Sequence, residues 1–279
     1  MDLEAHLADL VRQGDPDRYI STLYAPEAAR GALLALHAFA LEVGSVRDRV
    51  REPLAGEIRL QWWRDVIDAG AEAGQGSPVA EALLTAVAVH DLPRQPLLDL
   101  LAARIFDLYD DPMPSRNDLE GYCGETSSTI FQLAALVLDP QAARRVADLS
   151  GHAGCAQAIA ALGRTLPRQL GRGQCFIPLD ILAAVGTDPQ ALIERSNRDG
   201  AKRAVAAFAA LGREHLEAFK QQARTMPASL RPAFLPLATA EAYLDRLAAR
   251  PAVALDRPVG ISPLRRHWLL FCHAARGWT

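Results

Sequence analysis

Helix-forming residues, punctuated by proline and capping side chains, run through this chain from end to end, and no other feature restricts its fold so tightly. Alanine and leucine dominate, and both enter a helix at little cost. Alternating β-branched runs of strand length are absent, so no sheet is expected. The prolines fall mainly where helices begin or end. Pro26 opens a segment expected to reach about Val50, and Pro53 introduces the next, through Gln61, Trp62 and Trp63 to about Ala73. Gly74-Gln75-Gly76-Ser77-Pro78 reads as a turn. Asp139 ahead of Pro140 sets an N-cap before proline at the first helical position, which predicts a helix through Ala158. Thr187-Asp188-Pro189 repeats that grammar, and Asp199 is placed to cap a long helix towards Arg224.

No stretch is poor enough in apolar residues to be a flexible linker, and no internal repeat is visible. The expectation is one all-α domain over residues 1–279, with about ten helices around an elongated core. Trp62 and Trp63 are read as core and rim packing. With 30 basic residues against 33 acidic, a net charge of −3 and no block of like charge, nothing points to nucleic acid. Cys123, Cys155, Cys175 and Cys272 lie far apart without CxxC spacing. This argues against a zinc site or disulfide framework and fits a reducing compartment. The acidic, amphipathic start MDLEAHLADL is unlike a signal peptide, and no uninterrupted apolar run reaches ~18 residues. A soluble, cytoplasmic protein is expected, with peripheral contact at the inner membrane left open.

Three blocks concentrate the chemistry. The first is the helix from Ala35 to Asp48, where Gly44 and Asp48, four residues apart, share a face. The second runs from Asp107 to Tyr122-Cys123. The third spans Gly154-Cys155-Ala156-Gln157, Arg164-Thr165-Leu166-Pro167-Arg168-Gln169 and Gly171 to Asp180. In order and at suitable separations, these blocks resemble the squalene/phytoene synthases over roughly the first two thirds of the chain. Phe39, Glu42, Val46-Arg47-Asp48, Arg59-Leu60-Gln61-Trp62-Trp63 and Gly154-Cys155-Ala156-Gln157 look closer to the mitochondrial complex I assembly factor branch of that superfamily, and its bacterial relatives, than to the enzymes.

The resemblance implies an isoprenoid-synthase-like helical bundle around a central apolar cavity. In the family's enzymes, aspartates four apart on two facing helices hold Mg²⁺, which binds the diphosphates of two prenyl substrates and helps one leave; hard oxygen ligands suit that ion. Carried over, those positions are Gly44 and Asp48 on the first helix and Thr165 and Gln169 on the second. Only Asp48 is still a carboxylate, and so the only candidate metal ligand. The family's arginine on the first helix falls at Leu41, and its glutamine and asparagine on the second fall at Ala158 and Ala161. Arg30, Tyr122, Arg164 and Phe176-Ile177-Pro178 are retained. Pro167 is expected to kink or end the second helix. Glu42, two residues from Gly44, faces elsewhere. Losing contacts worth a few kcal/mol each would cost many powers of ten in rate, since ~1.4 kcal/mol is tenfold.

The same resemblance leaves a cavity that could take an isoprenoid or lipid tail at ~0.8 kcal/mol per buried CH₂, with Arg47, Arg164, Arg168 and Arg172 meeting an anionic headgroup; the plainer reading is that they are solvated or salt-bridged. Asp48 is read as either ion-paired or functional. His37 lines the pocket or packs in the core. The other histidines have no metal-ligand spacing, and Ser21 and Ser45 lack a base partner. The run from Leu264 to Cys272 is read as a final amphipathic helix, either packed on the bundle or docked to a membrane or partner. Three functions follow. The first, with no cofactor expected, is a pseudoenzyme in assembly of respiratory complex I or a related membrane complex. The second is an active Mg²⁺-dependent prenyl diphosphate transferase. The third is a lipid carrier.

Overall fold

The computed structural model describes residues 3–70 and 74–278. Among these no strand occurs. The helices are α1 (Leu3–Gly14), α2 (Pro16–Leu23), α3 (Glu27–Gly44), α4 (Val46–Arg49), α5 (Pro53–Ala69), α6 (Pro78–Val89), α7 (Gln95–Ala103), α8 (Arg116–Cys123), α9 (Thr129–Leu138) and α10 (Pro140–Ala143). They continue with α11 (Ala147–Arg164), α12 (Leu166–Leu170), α13 (Leu179–Ala184), α14 (Pro189–Ile193), α15 (Arg198–Ala223), α16 (Arg231–Phe234), α17 (Ala240–Ala249), α18 (Pro251–Asp256) and α19 (Pro263–Arg276). A 3₁₀ segment at Arg104–Leu108 and a π segment at Gly124–Ser128 join their neighbours.

The all-α expectation holds, but the helices are shorter and more numerous than pattern alone predicts. The segment after Pro26 stops at Gly44 and restarts at Val46, with Ser45 off helical geometry at φ −99°, ψ 4°. The helix after Pro53 ends at Ala69 because Gly70 takes φ +87°, open to a residue without Cβ; positions 71–73 of the predicted extension lie outside the described residues. Asp139 does cap, accepting from the Ala142 amide at 3.0 Å, yet α10 lasts one turn and the long helix begins only at Ala147. Asp188 caps α14 as expected, at 2.8 Å from the Ala191 amide. Asn197, rather than Asp199, caps α15: its side-chain oxygen accepts from Gly200 N–H at 2.9 Å, while Asp199 pairs with Lys202.

The core forms where α11 lies along α15 and α17, and where α3 packs among α1, α6 and α9. Phe39 and Trp63 meet edge to face at 5.0 Å, both without solvent exposure. Trp62 stands on the rim at 39% exposure, so the tandem pair divides as expected into core and rim. Helix α11 approaches the π segment so closely that a Cβ at Gly154 would lie 2.0 Å from Ser128 Oγ and 2.3 Å from its backbone nitrogen. Near the two ends of the chain, buried Asp17 on α2 takes Arg266 Nε of α19 at 2.5 Å and the Thr239 and Tyr243 hydroxyls at 3.0 and 3.3 Å. No helix is long and apolar enough to cross a membrane among the described residues.

Candidate functional site

Both motif helices break at the same relative point. Helix α3 ends at Gly44 and α11 at Arg164, and the next residues, Ser45 and Thr165, adopt nearly identical backbone angles (φ −99°, ψ 4° and φ −101°, ψ 7°). Pro167, lacking an amide hydrogen, fits the first turn of α12 but not a continuous α11, so the expected helix end is found there. Each helix therefore continues as a short re-aimed tail, α4 or α12. The tails border a cleft of about 230 Å³ that gathers Gly44, Arg47, Asp48, Thr165, Arg168 and Gln169 with Tyr122, Arg172 and Phe176.

Asp48 is wholly engaged by α12 and the residues after it. Its Oδ2 lies 2.6 Å from Arg168 and its Oδ1 2.5 Å from Arg172. Of the two readings left open for Asp48 the ion pair is found, though its partners are not the adjacent Arg47 and Arg49. Arg47 reaches Asp110 at 3.2 Å instead. At Gly44 the position of an added Cβ is 3.5 Å from the Arg104 guanidinium, so a cation stands where the first motif side chain would begin.

Arg104, which sequence reasoning did not single out, joins the expected Tyr122 and Asp107 in a second network. Its Nη1 donates to Asp107 at 2.9 Å and to the Tyr122 hydroxyl at 2.7 Å, and that hydroxyl donates to Asp107 Oδ1 at 2.7 Å. Burial disfavours the Arg104 charge, but the Tyr122 hydroxyl and Asp107 outweigh it and hold the guanidinium above its usual range. Burial likewise pushes the Tyr122 hydroxyl well above its ordinary value, keeping it protonated. Gln174 completes the wall, donating to the Asp107 and Tyr109 carbonyls at 3.1 Å each. The one available signal was Arg104 and Asp107 at i,i+3 spacing.

Four guanidiniums thus face two carboxylates across the lining. Arg47 Nε, Arg104 Nε and Gln169 Oε1 are buried there without a protein partner. Among the described residues, no group of three or more His, Cys, Asp or Glu side chains is placed to share a metal ion.

Three candidates lie elsewhere. Arg30 caps the α2–α3 connection, donating to the Ala25 and Leu23 carbonyls. Arg164, the last residue of α11, stacks over the Tyr243 ring at 3.8 Å and donates to Val259 O, so it is withdrawn from the headgroup set. His37 is buried at 4% exposure and borders a small space together with Arg18, Ile130 and Phe131. Burial, then the Arg18 charge, depress its pKa well below the usual value. His37 is a buried residue of α3 and does not line the cleft.

A family model described as squalene/phytoene synthase matches residues 11–265. The NADH dehydrogenase (ubiquinone) complex I, assembly factor 6 of Mus musculus is 29% identical over 245 residues, 86% of this chain and 72% of that protein. The Drosophila melanogaster homolog is 31% identical over 252 residues, with 87% and 74% covered. A dehydrosqualene synthase crystallised in complex with ligand superposes with a TM-score of 0.78 at 17% identity, covering 98% of this chain and 95% of that one. That last likeness speaks for the fold alone.

Proposed function

Because this chain belongs to the squalene/phytoene synthase family, we propose that it keeps the family's fold without its metal chemistry and acts as a non-catalytic protein in assembly of respiratory complex I. The observation that carries the first half is the state of Asp48, both of whose oxygens already accept from guanidiniums. Mg²⁺ needs several hard oxygens at about 2.1 Å. The lining instead offers four guanidiniums, and Asp107 is committed to Arg104 and Tyr122. This donor set does not suit the ion, and no step is routed through it. The assembly half is supported by the likeness to the assembly factor 6 proteins. A peripheral place at the inner membrane accords with that role.

The unpartnered Nε–H groups of Arg47 and Arg104 favour one addition: the cleft holds the anionic head of an isoprenoid or other lipid through charge-assisted bonds. At about 230 Å³ it admits a headgroup more readily than a whole chain.

Incubation with Mg²⁺ and farnesyl or geranylgeranyl diphosphate, followed by a pyrophosphate assay, tests the catalytic half. Release is expected to match a boiled-protein control and to be unchanged by Asp48→Ala. Turnover abolished by that substitution would replace this reading with head-to-head prenyl transfer. Assembly is read separately, by deleting the gene in its source cell and resolving complex I on native gels. Loss of the assembled complex is expected; an undiminished complex would rule the role out.

A further inference from the structure

Helix α19 presents its apolar side away from the protein. At 3.6 residues per turn, Leu264, Trp268, Phe271, Cys272 and Ala275 fall within a single arc of roughly 100°. The core contact is made on another side, where Leu270 is fully buried and Arg266 reaches Asp17. Leu264, Trp268 and Phe271 are 82%, 64% and 54% exposed, and the rings of the last two lie 6.3 Å apart, so the arc is a continuous apolar surface. A helix that only closed the bundle would turn this side inward.

Charge identifies what covers it. From Arg257 to the last residue the sequence contains four arginines, two histidines and no acidic residue, although the whole chain carries a net charge of −3. Arg266 is neutralised by Asp17. Arg265 and Arg276 flank the apolar arc on one side and His267 on the other, and all three are exposed. Tryptophan and phenylalanine between cationic flanks match an interface of acyl chains beneath anionic headgroups. With 14 residues, about 21 Å long, the helix is too short to span a bilayer and suited to lie along one.

We propose that α19 is a membrane-docking helix that seats the protein on an anionic lipid surface, with Leu264, Trp268 and Phe271 inserted and Arg265 and Arg276 at headgroup level. This stands on the helix itself and holds whether or not the chain assists complex I assembly.

The test is flotation of the purified full chain with vesicles of phosphatidylcholine alone or with one third phosphatidylglycerol. Binding is expected to the anionic vesicles only and to weaken in high salt. Arg265→Glu and Arg276→Glu are each expected to weaken partitioning by about fivefold or more. The Trp268→Ser/Phe271→Ser double variant should abolish binding while keeping the wild-type circular dichroism and melting temperature, because both residues are exposed. Failure of the wild type to bind either vesicle, or binding undiminished in the double variant, overturns the proposal. So does a wild-type dimer that the double variant dissolves, which would make this face a contact between copies.

Discussion

Single side chains decide more here than their size suggests. Gly154 leaves only a bare Cα between α11 and the π segment, and an added methyl meets Ser128 backbone as well as side chain. Gly154→Ala is therefore expected to cost at least the 1–3 kcal/mol typical of overpacking, seen as a lower urea midpoint. His37 acts through protonation. Its folded-state pKa is depressed by burial and by Arg18, whereas the unfolded chain takes up a proton near pH 6.5. Stability is thus fully present above about pH 6.5 and falls below it, by up to about 1.4 kcal/mol per pH unit for one such proton. His215, between His152 and Glu120, is depressed in the same direction, chiefly by burial. Urea unfolding at pH 7.5 and 5.5 should show the loss, and His37→Leu should retain less of it.

At the level of helices, much of the cleft was legible and its shape was not. The family resemblance brought Gly44, Asp48, Thr165 and Gln169 together, because its motif positions map to the facing ends of two long helices. It could not foresee Ser45, which has no proline to announce a break, although Pro167 announced the matching one at Thr165. Those breaks re-aim α4 and α12 and let one carboxylate meet two guanidiniums from the opposing side. The same limit explains Arg30 and Arg164: family position names the helix, but the direction of a side chain depends on packing that no spacing rule contains. Arg30 lies well over three turns before Gly44. Arg164 points instead at the Tyr243 ring. The caps divide similarly. Asp188 was readable because proline follows it, while Asn197 lost out to Asp199 because both are good capping residues two positions apart.

Across the whole molecule, the Asp17 cluster couples segments from the two ends of the chain. Burial, and then Asp15, raise the Asp17 pKa despite Arg266. Removing the guanidinium with Arg266→Ala leaves a buried carboxylate beside two hydroxyls, a change that typically costs about 3–5 kcal/mol. The sign with pH follows from the raised pKa: the penalty is full when Asp17 must stay ionised, and relaxes when it can take a proton. Unfolding of Arg266→Ala measured against wild type should therefore show a larger deficit at pH 8 than at pH 5. The ribosome adds Asp17 to the chain 249 positions before the guanidinium that bonds it, so until Arg266 follows this carboxylate lacks its directly paired counter-charge. The pocket around Asp17 therefore reaches its buried, charge-paired form only after α19 has been made.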